Sequence, residues 1–222
     1  MKRLYAISDI HGCFRTFHEL VVNVLKLERS DKLVLLGDYI DRGEQSKEVV
    51  DFIIDLREKK YDITALTGNH EQMLLDSWYD KYNMQLWMMN SGYSTMLSFG
   101  IDDIRDLDKK YVEFFTGLEY YKSINDYLFV HAGFNDLAED PFTDKFHMIW
   151  ECRPSYINPV LHNKTIIHGH RPKNLNYVRK LISLNSKVLP IDTGCVYEKE
   201  SGYGHLSALE VNSKELISIP YQ

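Results

Sequence analysis

The sequence predicts an α/β protein built from two packed mixed β-sheets, a β-sandwich, flanked by helices. Strand and helix signals alternate through the first half, the pattern of parallel strands joined by helical crossovers. Short strands and tight turns crowd the second half, which implies a second sheet packed on the first. No linker, repeat or low-complexity segment interrupts the chain, so residues 1–222 read as a single domain.

Each element has its own signal. Residues 3–8 read as a first strand, and residues 14–27 as a helix with Phe14, Phe17, Leu20, Val21, Val24 and Leu25 at helical spacing. The continuous apolar run at 32–36 fits a strand buried on both faces. A helix over 49–56, a strand over 62–66 and a helix over 71–82 follow. The aromatic and methionine-rich stretch 78–89 reads as a core-packing helix. Residues 91–119 read as helical and irregular, broken at Gly92, Gly100 and Gly117. Short strands are then expected at 120–124, 127–131, 165–168, 181–184, 188–191, 206–211 and 215–219, with hairpin turns at Asn125-Asp126 and Asn212-Ser213.

Composition narrows the function classes. With 26 basic and 32 acidic residues the net charge is -6, which argues against a surface that tracks nucleic acid. No run approaches the 18 apolar residues of a membrane span, and the apolar stretch before Asp9 is too short for a signal peptide. Cys13, Cys152 and Cys195 form no CxxC pair, so neither a disulfide framework nor a thiolate zinc site is expected. These features fit a reduced cytoplasmic setting with no membrane partner.

Chemistry concentrates in five clusters, each where a strand ends: Asp9-Ile10-His11-Gly12, Gly37-Asp38-Tyr39-Ile40-Asp41-Arg42-Gly43, Gly68-Asn69-His70-Glu71, His131-Ala132-Gly133 and His168-Gly169-His170. Strand ends are where α/β sheets bind ligands, so five polar ends on one edge make one site. Carboxylate oxygen mixed with imidazole nitrogen suits borderline divalent ions such as manganese, iron, zinc or cobalt. Asp9 and His11, two apart, point to one side of an extended strand end. Asp38 has two oxygens with which to bridge two ions; Asn69, His131 and His170 complete the second. Two ions about 3.5–4 Å apart clamp the attacking and leaving oxygens of a phosphate displacement.

The series DIHG, GDYIDRG, GNHE, HAG and GH resembles the calcineurin-like metallophosphoesterases, and within them the bacterial and phage branch of the phosphoprotein phosphatases. The match runs in order from Asp9 to His170, with an echo in Ile191-Asp192-Thr193-Gly194-Cys195-Val196-Tyr197 and Leu206-Ser207-Ala208-Leu209. The resemblance implies a metallophosphoesterase sandwich holding two divalent ions, manganese first, with iron, zinc, nickel or cobalt as alternatives. It implies Asp9 and His11 on the first ion, Asp38 on both, and Asn69, His131 and His170 on the second. His70 is then the general acid, Asp41 its orienting partner, and Arg42 and Asn69 contacts to the substrate phosphate. A second phosphate-binding arginine follows a tryptophan in the family; the nearest match is Arg153, one residue later than usual in Trp150-Glu151-Cys152-Arg153. Arg171 stands where the family often has threonine, and it reads as a substrate contact or a surface cation.

The remaining candidates have plainer readings. His168 is expected to support His170 or to sit in the core; His18, His147 and His162 are surface or core histidines, and His205 stays open. Cys13 and Cys195 read as small buried hydrophobes, and residues 102–110 as a solvated face. The implied reaction is hydrolysis of phosphomonoesters, on phosphoserine or phosphothreonine of a protein or on a small phosphoester, by direct attack of a metal-bound hydroxide. Symmetrical cleavage of diadenosine tetraphosphate is the second reading, and a non-catalytic metal- or phosphate-binding protein the third.

Overall fold

Strand β1 (Leu4–Ile7) is buried along its whole length and organises the first sheet. It pairs in parallel with β2 (Lys32–Leu35), which pairs in parallel with β3 (Asp62–Ala65). On its other side β1 runs antiparallel to β8 (His205–Glu210), itself antiparallel to the edge strand β9 (Glu215–Pro220). The order is β3-β2-β1-β8-β9 in this computed structural model, which describes residues 2–222. The second sheet is β4 (Tyr121–Ile124), β5 (Tyr127–Val130), β6 (Thr165–His168) and β7 (Val188–Pro190), in that order. Only the β4–β5 pair in it is antiparallel.

Strand alternation divides the core. Leu4 and Ala6 point between the sheets and meet Phe129, Ile167 and Leu189 of the second sheet. Tyr5 and Ile7 point the opposite way, into a cluster with the helices. That cluster takes Phe17 from α1 (Phe14–His18) and Val49, Val50, Ile53 and Leu56 from α2 (Ser46–Glu58). Their spacing makes one apolar stripe on α2, and each such side chain buried is worth roughly 1.5–3 kcal/mol. Further helices cover the same face: α3 (Asn69–Asp76), α4 (Lys81–Met89), α5 (Gly92–Phe99) and α6 (Lys109–Thr116). Across the second sheet, Leu128, Val130, Ile166 and Val188 pack under Met148 and Ile149 of α7 (Lys145–Trp150).

Several expectations need correction. Residues 181–184 are not a strand; they fall at the end of α8 (Leu175–Ser183), where Leu181 and Ile182 extend the stripe begun by buried Val178. A short apolar run carries both periods, and the Asn174 side chain, capping Asn176 N at 2.9 Å, decides for the helix. The helix expected at 71–82 ends at Asp76, and Asp80 starts α4 by accepting from Asn83 N. Only Trp87 of α4 is buried; Tyr82 and Met89 are exposed, so the 78–89 stretch is mostly surface. After α1 the chain widens into a π-helical segment, Glu19–Val24. The second half holds two strand hairpins, and β5, β6 and β7 are joined in parallel. Among the described residues no helix is long and apolar enough to cross a membrane.

Candidate metal centre and active site

Five loops leave the C-terminal ends of β1, β2, β3, β5 and β6 and meet at one edge. Backbone bonds lash them together. Ile10 N and His11 N both donate to Asp38 O at 2.9 Å, and Gly169 N donates to His131 O at 2.8 Å. His170 N donates to both carboxylate oxygens of Asp9 at 3.1 Å. The turns are tight. His11, Asp38, Asp41, Arg42 and His170 have φ of 44°, 53°, 67°, 68° and 70°. Left-handed backbone in non-glycine residues costs of order 1–3 kcal/mol each and persists only where its surroundings impose it. The expected extended strand end at Asp9 and His11 is thus a reversal instead, with β1 already finished at Ile7.

Nearest the centre are Asp38, His11, His131, His170, Asn69 and His70. Asp38 Oδ2 lies 3.4 Å from His11 Nε2, 3.5 Å from His131 Nε2 and 4.0 Å from His70 Nε2. His11, Asp38 and His70 form one group able to hold an ion; Asp38, His131 and His170 form another. Asp38 belongs to both groups, and the first of them holds His70 rather than the expected Asp9. Asp9 stands just outside these groups, accepting from Ser8 Oγ at 2.8 Å as well as from His170 N.

The donor set fits a cation. His11 Nδ1 donates to Ile40 O at 2.8 Å and His131 Nδ1 to Leu36 O at 2.9 Å. A carbonyl only accepts, so each ring carries its proton outward and turns a bare Nε2 inward. Asn69 Oδ1 lies 3.1 Å from His131 Nε2 and 3.0 Å from His170 Nδ1, and the two nitrogens are 3.1 Å apart. These three acceptors share at most one proton, which His170 would have to supply, whereas a cation among them satisfies all three. Burial and the Arg42 guanidinium push His11 well below its ordinary pKa, and burial with His131 pushes His170 down to about 3. Both stay neutral, the form that ligates metal.

His70 differs from the other rings. Its Nδ1 faces a carboxylate, Asp41 Oδ2, at 2.6 Å. Burial disfavours its protonation, yet Asp38 and Asp41 outweigh burial and raise its pKa. Asp41 in turn accepts from Trp87 Nε1 and from Thr95 Oγ1 at 2.6 Å, while Asp41 N donates to Thr95 Oγ1 at 2.8 Å. Trp87 and Thr95 lie outside the five sequence clusters. The one available signal was chemical: a buried indole N–H needs an acceptor.

Other site residues fall into place around this core. The Arg42 guanidinium donates to His11 Nε2 and lies 5.6 Å from the centre of the Tyr197 ring, a cation–π contact from the C-terminal echo motif. Glu71, given no role from sequence, is wholly buried and accepts from Asp38 N, Tyr39 N and Gly68 N at 2.8, 2.8 and 2.9 Å. It pins the Asp38 turn to the start of α3, and burial with Asp38 nearby pushes its pKa up to about 7. A Cβ on Gly68 would stand 2.1 Å from Asp38 Oδ1, and one on Gly169 2.1 Å from Asp9 Oδ1. These glycines therefore serve close approach to carboxylates. His168 is buried beneath the site, its Nδ1 paired with Gly169 O at 3.0 Å. Arg153 lines a neighbouring cavity with Cys152, His168, Arg171 and Lys173, and none of the proposed metal ligands lines that cavity.

Known proteins share this architecture. A serine/threonine-protein phosphatase 1 of Salmonella typhimurium is 37% identical over 91 residues, 41% of this chain and 39% of the relative. A symmetrical bis(5'-nucleosyl)-tetraphosphatase of Nitrosospira multiformis is 39% identical over 72 residues, 32% of this chain and 25% of the relative. The matched stretches thus span well under half the length of both relatives. An asymmetrical bis(5'-nucleosyl)-tetraphosphatase of Anoxybacillus flavithermus is 25% identical over 250 residues, 96% of this chain and 92% of that protein. In fold, a protein serine/threonine phosphatase from Saccharomyces cerevisiae superposes with TM-score 0.69 at 16% identity, over all of this chain and 80% of that one. A cold-active protein-tyrosine phosphatase of Shewanella does so at 0.64 and 20%, over all of this chain and 78% of that one. The model of the calcineurin-like phosphoesterases matches residues 2–198, and the chain belongs to that family of metal-dependent phosphoester hydrolases.

Proposed function

We propose that the protein is a two-metal phosphomonoesterase acting on phosphoserine and phosphothreonine of proteins. One observation carries the reading: an imidazole backed by a carboxylate, His70 on Asp41 at 2.6 Å, sits 4.0 Å from the carboxylate that two candidate ion groups share. In this reading Asp9, His11 and Asp38 hold one ion, and Asp38, Asn69, His131 and His170 hold the other. Such ions, manganese in the first instance, polarise the phosphoryl group and provide a nucleophilic water at neutral pH.

The chain's own groups do the rest. Arg42 and Asn69 hold the phosphate oxygens, the guanidinium as a fixed fork of donors. His70, protonated, gives its Nε2 proton to the ester oxygen as the P–O bond breaks and the water oxygen bonds to phosphorus. Such proton donation contributes about 10²–10⁴-fold. Asp41 keeps His70 turned so that Nε2 faces the reacting atoms. The cytoplasmic setting belongs to the same proposal, supported by three free thiols.

Cleavage of dinucleoside tetraphosphates is the second reading, supported by the relative whose likeness covers 96% of this chain. The test is hydrolysis of p-nitrophenyl phosphate with manganese and with chelator, then of a phosphoserine peptide against diadenosine tetraphosphate under the same manganese. Faster turnover of the peptide is expected. Chelator-insensitive hydrolysis overturns the metal mechanism, and preference for the dinucleotide overturns the protein substrate.

A further inference from the structure

A cavity of about 280 Å³ adjoins the metal centre through the segment that ends β6. His168 and Arg171 line it, while Gly169 and His170 between them face Asp9. Three cations line its wall: Arg153, Arg171 and Lys173. Among the described residues none of them takes part in a salt bridge. Arg153 Nε is buried with no hydrogen-bond partner. A buried guanidinium N–H without an acceptor costs free energy, and it leaves this guanidinium short of acceptors.

Apart from Ser186, the remaining wall is largely apolar. Tyr177 and Leu181 sit one turn apart on α8, and Val188 and Pro190, two apart, share a face of β7. Cations on one side and an apolar wall on the other suit an anionic group carried on an organic body. Two guanidinium forks and an ammonium together exceed what one carboxylate can satisfy. They match a phosphoryl group, with its higher charge and its three oxygens.

We propose that this cavity is a subsite for a second phosphoryl group of the substrate, held by Arg153, Arg171 and Lys173 while the scissile phosphate lies at the metal centre. The proposal rests on the phosphoesterase reading above. It moves Arg153 from the scissile phosphate to its neighbour. It also makes a phosphomonoester that carries a second phosphoryl group a better substrate than the same body with one.

The test is the double variant Arg171→Ala/Lys173→Ala, with both positions outside the metal centre and its proton donor. In chelator, inorganic pyrophosphate is titrated into metal-stripped protein by calorimetry. The wild type is expected to bind, and the double variant to bind at least about tenfold more weakly, as loss of charge-assisted hydrogen bonds implies. Arg42 is intact in both proteins, so the difference reads the cavity alone. With manganese, kcat/KM for p-nitrophenyl phosphate is expected to stay within about twofold. For adenosine 3',5'-bisphosphate and for a doubly phosphorylated peptide it is expected to fall about tenfold, through KM. A loss on either compound supports the subsite and shows which source supplies the phosphoryl group. Equal pyrophosphate binding by both proteins, no binding by the wild type, or an equal loss on p-nitrophenyl phosphate overturns it. If nothing is hydrolysed by the wild type, the phosphoesterase reading fails, while the pyrophosphate titration still decides the cavity.

Discussion

Trp87 Nε1 donates to both carboxylate oxygens of Asp41, at 2.9 and 3.1 Å, across 46 residues of chain. The indole thereby fixes the carboxylate that holds His70, and it does so from α4, where it is the one fully buried side chain. Trp87 touches no substrate in the proposed reaction; it is a positioning residue. Trp87→Phe keeps the ring volume and removes the donor. We expect kcat to fall about 5- to 30-fold, the equivalent of about 1–2 kcal/mol, with metal content unchanged. A purely packing role would lower thermal stability and leave kcat and its pH profile alone.

His70→Asn separates proton donor from ligand. The two-metal reading expects kcat for a phosphoserine peptide to fall about 10²–10⁴-fold while two ions per chain are retained. The loss should be smaller for p-nitrophenyl phosphate, whose leaving group needs less protonation. Elemental analysis showing an ion lost with the imidazole would move His70 into the ligand set instead.

Gly169 has no room for a methyl group, since a Cβ there would meet Asp9 Oδ1 at 2.1 Å and Ser8 Oγ at 2.7 Å. In Gly169→Ala either the Asp9 carboxylate or the His170 turn has to move. Both carry proposed ligands, so manganese affinity should drop about tenfold or more, the scale of disturbing a ligand's support. A manganese titration followed by melting temperature reads this directly: the wild type rises with metal, and the variant needs more metal for the same rise. Identical titration curves would count against Asp9 and His170 as ligands.

Away from the site, Asp31 anchors the start of the first sheet. Its carboxylate accepts from Arg3 Nε at 3.1 Å, Arg3 Nη2 at 2.5 Å and Glu28 N at 2.9 Å. Burial favours its neutral form, but these donors outweigh burial and hold its pKa below the ordinary value. A depressed carboxylate stabilises the fold above its unfolded pKa of about 3.9, and that contribution is lost as pH falls through the lower folded value. Asp31→Asn should therefore lower the melting temperature at pH 7 and converge with the wild type at a pH below the depressed folded-state value. An equal deficit at both pH values would assign the effect to packing.

The convergence of these residues at one edge was legible because their loops are local. Asp9, His11, Asp38, Asn69, His70, His131 and His170 each follow a strand within a few residues, and parallel strands bring such ends to one edge. Every strand expected from the sequence except 181–184 exists, since 32–36 and its counterparts carry a continuous or alternating apolar signal. Residues 181–184 failed for the opposite reason: four apolar-rich residues fit either period, and a cap seven residues upstream decided between them.

By itself, the sequence determined the two-sheet class, the five polar strand ends and the chemistry of their donors, because side-chain type and short-range periodicity are written residue by residue. Only the tertiary structure decided that the final hairpin returns beside β1, that five site residues take left-handed backbone, and that Asp41 is gripped from α4 and α5. The physical reason is separation along the chain. Hydrogen bonds such as Trp87 to Asp41 and Thr95 to Asp41 span 46 and 54 residues. No local propensity encodes them; they form once packing has buried donors that have nowhere else to bond.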